Sequence, residues 1–199
     1  MRPPSAFHGH PGLITLWVGV YLFCYVPEIV FSRRLRSGAG AHKADRGSML
    51  VVIVAANLAV VAGFLAAVLL PRLAFRLHWK AIFAAGLVVW VGGTLFRWYS
   101  IWTLGRLFTF DVAISDGQRV IDRGPYRWIR HPSYLGALLG ELGFGLTLTN
   151  PAAMLLPPVC LGLAYVYRIR VEERALLDGL GPAYCEYMQR SWRLIPFVF

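Results

Sequence analysis

From Met49 to Leu70 the chain runs 22 residues without a charge, mostly Val, Ala and Leu, inside a wider uncharged stretch of 25 residues from Gly47 to Pro71. At a helical rise of about 1.5 Å per residue this segment crosses a hydrocarbon layer of roughly 30 Å. Apolar residues make up 57% of the chain and charged residues only 15%, against about 25% charged in a soluble domain. That balance excludes an ordinary water-soluble globule and intrinsic disorder. Cys24, Cys160 and Cys185 are scattered, with neither a C-x-x-C pair nor zinc spacing, which sets aside a disulfide scaffold.

Two further crossings are expected over Gly12–Phe31 and Ala81–Leu104. The second carries Arg97, which is expected to snorkel to the membrane surface. The first does not read as a signal peptide: it lacks a basic flank and a small-residue cleavage site, and Ser32-Arg33-Arg34 acts as a stop. The stretch Tyr134–Tyr167, at 34 residues, is too long for one crossing. Asn150-Pro151 at its middle is a helix-start signal, so two short helices over 134–149 and 151–167 form a hairpin. The competing arrangement is one tilted span over 142–167, kinked at Pro157-Pro158.

Charge decides between them. With five spans, segments 32–48, 105–133 and 168–199 share one side and carry 15 Lys and Arg, leaving 4 on the other. The positive-inside bias then places the N-terminus outside and the C-terminus in the cytoplasm. The net charge of +10 lies in short bursts between apolar stretches rather than along a groove, which excludes nucleic acid. The expected fold is all-α and integral to the membrane, with five transmembrane helices including a C-terminal helical hairpin. Residues 1–104 supply three spans and 105–199 a catalytic region, together forming one domain. Chemistry is expected in the polar segments 105–133 and 168–199.

Three clusters could carry it. In Gly124-Pro125-Tyr126-Arg127-Trp128-Ile129-Arg130-His131-Pro132-Ser133-Tyr134, Gly-Pro starts a turn and a helix can begin after His-Pro. Such a helix N-terminus suits a carboxylate, while a basic-aromatic belt at the membrane interface has the same composition. In Arg168-Ile169-Arg170-Val171-Glu172-Glu173-Arg174, Arg168 and Glu172 share a helix face. There they make either a surface ion pair or a site in which Arg168 clamps a carboxylate and Glu172 holds a polar ligand. The third, Gly179 to Tyr187 followed by Arg190 to Pro196, reads as a surface helix or a lid. His8-Gly9-His10 is not a metal site, and no H-E-x-x-H, Walker loop, G-x-S-x-G or dinucleotide fingerprint occurs. Gly136-x-x-x-Gly140 points to close helix packing. Glu141, inside a span, is either functional or a structural hydrogen-bond partner.

The order of these clusters is more specific than any one of them. Gly105-x-x-Phe108-Thr109 is followed by Gly124-x-Tyr126-x-x-x-Arg130-His131-Pro132-Ser133-Tyr134-x-Gly136, Asn150-Pro151 and Arg168-Ile169-x-x-Glu172-Glu173. Gly181-x-x-Tyr184-x-x-Tyr187 and Ile195-Pro196 complete it. Over residues 105–199 the chain resembles the isoprenylcysteine carboxyl methyltransferases, integral-membrane enzymes. The resemblance implies S-adenosylmethionine as methyl donor, in a cytosolic pocket formed by the 105–133 loop and the C-terminal helical tail. It implies a lipophilic carboxylate, such as a prenylated cysteine, as acceptor, with membrane lipids around it and no metal. Cofactor contacts would fall on Gln118, Arg119, Val120 and Ile121, on Tyr126, on His131, Pro132, Ser133 and Tyr134, and on Glu172. Arg168 would touch the acceptor carboxylate, and Arg168 and Glu172 would be the catalytic pair. Where this chain has Gln118 the family often has histidine; glutamine still donates and accepts.

The chemistry agrees with that assignment. A carboxylate is ionised at neutral pH and needs no general base to attack a methyl group. The protein's task is to hold it in line with the methyl–sulfur bond, and Arg168 can do so bidentately. A phospholipid N-methyltransferase is the nearest alternative, but an amine acceptor must lose a proton and calls for a base. An NADPH-dependent membrane reductase is a more distant one, for which the chain is short.

Overall fold

The computed structural model describes residues 10–34, 42–43, 45, 47–108, 113–114 and 119–197. Its helices are α1 (Pro11–Arg34), α2 (Ser48–Leu69), α3 (Trp79–Leu104), α4 (Pro132–Thr147), α5 (Pro151–Leu180) and α6 (Pro182–Gln189). The short strands β1 (His42–Lys43) and β2 (Ala113–Ile114) pair antiparallel, with His42 opposite Ile114.

Among the described residues four helical segments are long and apolar enough to cross a membrane: Pro11–Phe31, Ser48–Leu69, Trp79–Leu104 and Pro151–Leu180. Their large apolar side chains point outward: Val68, Val88 and Leu163 are each about two-thirds exposed or more. In water that would be a liability; against lipid it is the expected surface. The interior instead holds small residues and an aromatic cluster of Trp17, Trp90 and Phe144. The Trp17 indole N–H donates to Thr147 Oγ1 at 2.8 Å.

α4 is enclosed by its neighbours because glycines remove the side chains between them. A Cβ on Gly93 of α3 would lie 2.6 Å from the Gly140 amide nitrogen, and one on Gly136 of α4 would lie 2.7 Å from that of Arg97. The two backbones are therefore in direct contact, the close approach that small residues permit. At 16 residues α4 is about 24 Å long, shorter than the roughly 30 Å hydrocarbon layer. It is not among the four segments long enough to cross alone, so the structure gives four such helices where five crossings were expected.

The hairpin is present, but its second arm differs from the expectation. The Asn150 side chain accepts from the Ala152 and Ala153 amides at 2.9 and 3.3 Å, which starts α5 at Pro151. Its Nδ2 donates to the Leu70 carbonyl at 2.9 Å, fastening this turn to the end of α2. α5 does not stop near Tyr167: it continues for 30 residues through Pro157-Pro158 and the Arg168–Arg174 cluster to Leu180. The helix therefore delivers Arg168, Glu172 and Glu173 on one rod with its apolar part.

At the opposite end of the bundle the basic segments converge. β1 meets β2, Asp45 reaches Arg168, and Arg130 reaches Glu173. Arg97 does not snorkel. Its Nε and Nη2 hold both oxygens of Glu28 on α1 at 2.8 and 3.0 Å, and Nη1 donates to the Ser133 carbonyl at 3.1 Å. An internal carboxylate offers the guanidinium a better partner than distant headgroups do.

Candidate active site

The loop before α4 is strapped to the tail after α6. Gly124, at φ 57, supplies the left-handed turn that opens a 3-10 turn over Gly124–Arg127. Ile129 bridges Trp192, the Trp192 amide donates to the Trp128 carbonyl at 2.9 Å, and the Arg130 amide donates to the Trp192 carbonyl at 2.8 Å. The Tyr187 hydroxyl donates to the Tyr126 carbonyl at 2.6 Å. Burial pushes the Tyr187 phenol up to about 12, and it pushes Tyr126 and Tyr184 well above their ordinary value. All three stay neutral donors at physiological pH.

Glu173 ties this strap to α5. Its side chain is 6% exposed. It accepts from Arg130 Nε and Arg193 Nε, both at 2.9 Å, and stands 3.3 Å from His131 Nε2. Three potential cations around one carboxylate make it a structural knot, a role that reading the sequence missed.

One residue away, Glu172 faces a different environment, because neighbours on a helix point about 100° apart. Its Oε2 accepts the Tyr134 hydroxyl at 2.6 Å and lies 3.7 Å from His131 Nδ1; its side chain is 29% exposed. Tyr134 is the middle ring of a stack, with His131 at 5.5 Å on one side and Tyr165 at 4.4 Å on the other. Arg168, one turn before Glu172, donates from Nε to the same Tyr134 hydroxyl at 3.3 Å. Its Nη1 donates to Ser48 Oγ at 2.8 Å and to Asp45 Oδ1.

The structure thus brings Tyr126, His131, Ser133, Tyr134, Arg168 and Glu172 together. Tyr126 is buried beside the Ser133 hydroxyl and within the field of Glu172. Pro132 occupies the first position of α4. The helix N-terminus itself offers little to an anion, since the Tyr134 and Leu135 amides both donate to the His131 carbonyl. Arg119 is exposed, and Val120 and Ile121 half-buried, on the chain leading to Asp122. Among the described residues no hydrogen bond joins these three to the cluster; Gln118 lies outside the described residues. Asp45 and Ser48 were also missed; nothing in a Gly/Ala-rich linker signals that its end meets a residue 123 positions on.

Fold and site together define a multi-pass helical membrane protein with a partly buried Arg–Tyr–Glu constellation at one end of its bundle. The model of the isoprenylcysteine carboxyl methyltransferase family matches residues 85–178. Protein-S-isoprenylcysteine O-methyltransferase B of Arabidopsis thaliana is 32% identical over 164 residues, 80% of this chain and 82% of the relative. The Tribolium castaneum protein-S-isoprenylcysteine O-methyltransferase is 32% identical over 125 residues, 62% of this chain. The solved eukaryotic intramembrane Ras methyltransferase ICMT aligns with a TM-score of 0.57 and 32% identity over 73% of this chain. This chain spans 44% of the length of the beetle relative and 52% of that solved chain. The chain belongs to the isoprenylcysteine carboxyl methyltransferase family.

Proposed function

We propose that the protein esterifies the carboxylate of a lipophilic acceptor, of the prenylcysteine kind, with a methyl group from S-adenosylmethionine. The observation that carries this reading is the state of Arg168. Its guanidinium already holds a carboxylate, that of Asp45, while its Nε shares the Tyr134 hydroxyl with Glu172. An acceptor carboxylate exchanging with Asp45 would meet a site preorganised for its charge and shape. No base is required there, since the acceptor is ionised at neutral pH. The names of the relatives favour the same acceptor class.

The residues present suit the donor. Both described contacts of Glu172 use Oε2, which leaves Oε1 for an amino group or a ribose hydroxyl. S-adenosylmethionine would supply a methyl electrophile on a sulfonium, whose charge is cancelled together with that of the carboxylate. Arg168 fixes the carboxylate, Tyr134 keeps Arg168 and Glu172 in register, and the buried ring stack limits water. Residues 105–199 form the catalytic region in this reading, completed by Asp45 and Ser48 from the N-terminal half. With the basic segments in the cytoplasm, the N-terminus lies outside, the site opens inward, and the short α4 supplies the partial crossing that brings α1, α2, α3 and α5 to five.

The test is turnover of a small farnesylated thioacid with methyl-labelled donor by the protein purified in detergent. A base-labile methyl ester is the expected product. A base-stable methylated amine from a lipid amine, with no ester from the acid, would overturn the reading.

A further inference from the structure

A cavity of about 490 Å³ lies apart from the methyl-transfer cluster, where the turn after Asp122 meets the end of α6. Its described lining is Asp122, Arg123, Gly124, Arg127 and Arg190. Three guanidiniums stand there against one carboxylate, which leaves two positive charges in excess. Arg190 Nη2 is paired with Asp122 Oδ2 at 3.0 Å, and both side chains are more than half exposed. Arg123 Nη2 donates to the Thr103 carbonyl at 3.4 Å. Among the described residues Arg127 has no hydrogen bond or ion pair, and its guanidinium lies 5.4 Å from the centre of the Trp128 ring.

Thr103 is the last residue but one of α3, so the cavity stands at the level where a membrane-crossing helix leaves the apolar layer. Leu95, Tyr99 and Trp102 follow one another on α3 at i, i+4 and i+7, and all three are exposed. They therefore form one outward stripe along that helix. The stripe leads to the cavity: a Cβ on Gly124 would lie 3.2 Å from the Tyr99 hydroxyl and 3.3 Å from Thr103 Cγ2. The Tyr99 and Trp102 rings stack with centres 6.3 Å apart, and Trp128 is exposed beside Arg127. Aromatic rings of this kind collect at headgroup level. A soluble anion would need the arginines alone. An apolar track ending in a cationic cavity suits a molecule that is anionic at one end and hydrocarbon along the rest.

We propose that this cavity binds the headgroup of an anionic phospholipid, with the phosphate between Arg127 and Arg190 and the acyl chains along the stripe from Trp102 to Leu95. A phosphate oxygen takes the place of the Asp122 carboxylate on Arg190, and guanidinium forks match phosphate bidentately. The exchange costs little, because an exposed ion pair contributes little to stability. A zwitterionic headgroup brings a cation of its own among three guanidiniums and is disfavoured. Neither Arg168 nor Glu172 lines the cavity, so lipid binding there does not depend on the methyl-transfer reading.

The probe is a fluorescent phosphatidylglycerol, bound to the purified protein in neutral detergent and displaced by unlabelled phosphatidylglycerol, phosphatidylcholine or glycerol phosphate. One arginine beside an anionic lipid changes affinity about fivefold, so two excess charges should make wild type prefer phosphatidylglycerol to phosphatidylcholine about twentyfold. Arg127→Gln and Arg190→Gln should each lower that preference about fivefold, and the double variant should abolish it. Asp122→Asn should strengthen phosphatidylglycerol binding about fivefold, a gain that misfolding cannot produce. Arg72→Gln combined with Arg76→Gln removes the same charge from the loop between α2 and α3, at the other end of α3, and should leave the preference unchanged. An equal loss in that control, or no preference in wild type, overturns the proposal. Displacement by glycerol phosphate at the same concentration as the lipid would assign the cavity to a soluble phosphoester and overturn it as well.

Discussion

Arg168 and Asp45 form an ion pair across 123 residues of sequence, joining the middle of α5 to the linker that enters α2. Asp45 is also bound to α2, accepting from the Ser48 hydroxyl at 3.0 Å and the Met49 amide at 3.2 Å. If the acceptor carboxylate takes its place on Arg168, Asp45 is a built-in competitor. Asp45→Asn keeps an oxygen for the helix start but removes the charge. It should lower the acceptor KM by about three- to tenfold, at a gain of about 1 kcal/mol. A KM raised tenfold in steady-state assays would instead show that Asp45 positions the guanidinium.

Arg168 and Glu172 should separate kinetically. Arg168→Ala is expected to lose about a hundredfold or more in kcat/KM for the acceptor, with donor affinity kept. Glu172→Ala should weaken S-adenosylmethionine binding about tenfold, as one charge-assisted hydrogen bond is lost. Calorimetric titration of the donor beside acceptor kinetics distinguishes the two. Wild-type values in both variants would overturn the site assignment.

Glu173 should matter for stability more than for chemistry. Replacing it by Gln leaves Arg130 and Arg193, with side chains 8% and 32% exposed, without their shared carboxylate. Breaking a buried pair from one side costs about 3–5 kcal/mol. The melting temperature should drop by several degrees, and proteolysis should cut first between α6 and the C-terminus.

Gly93 and Gly92 provide a matched pair on α3. A methyl at Gly93 would lie 2.6 Å from the Gly140 amide nitrogen, whereas one at Gly92 meets nothing within 4 Å. Gly93→Ala should cost about 1–3 kcal/mol as the α3–α4 seam is forced apart. Gly92→Ala should be neutral or slightly stabilising, since alanine favours helix. Thermal melts in one detergent compare them directly.

Tyr187 sets an alkaline limit on the strap between loop and tail. Burial raises its phenol from 10.0 to about 12, so the folded state favours the protonated form. Its contribution is fully present below pH 10 and lost as pH rises toward 12. Tyr187→Phe should flatten the fall of melting temperature over that window.

Much of this architecture could be read beforehand where the signal is local. The uncharged run in α2, the Asn150-Pro151 helix start and the Gly136/Gly140 spacing each act through neighbouring residues, and each appears as expected. Arg168 and Glu172 were legible because one turn of helix places them together. The partners that arrive through space were not. Nothing near Glu28 in the sequence points to Arg97, 69 positions on, yet it neutralises that guanidinium. Glu172 and Glu173 are chemically identical in the sequence; only the direction in which α5 faces the strap separates the partly exposed carboxylate on Tyr134 from the buried knot. The end of α5 was misjudged for a related reason: the change from apolar to charged residues marks where lipid contact stops, not where hydrogen bonding along the helix stops.

The unbroken course of α5 makes the position of Arg168 relative to Asn150 a matter of counting. From the anchor at Asn150 to Arg168 the helix runs on without a break, through Pro157-Pro158. Adding or deleting one residue within that interval would shift the guanidinium by only about 1.5 Å but swing it about 100° around the rod. Loops at either end can vary in length at little cost, while this interval has to keep its number.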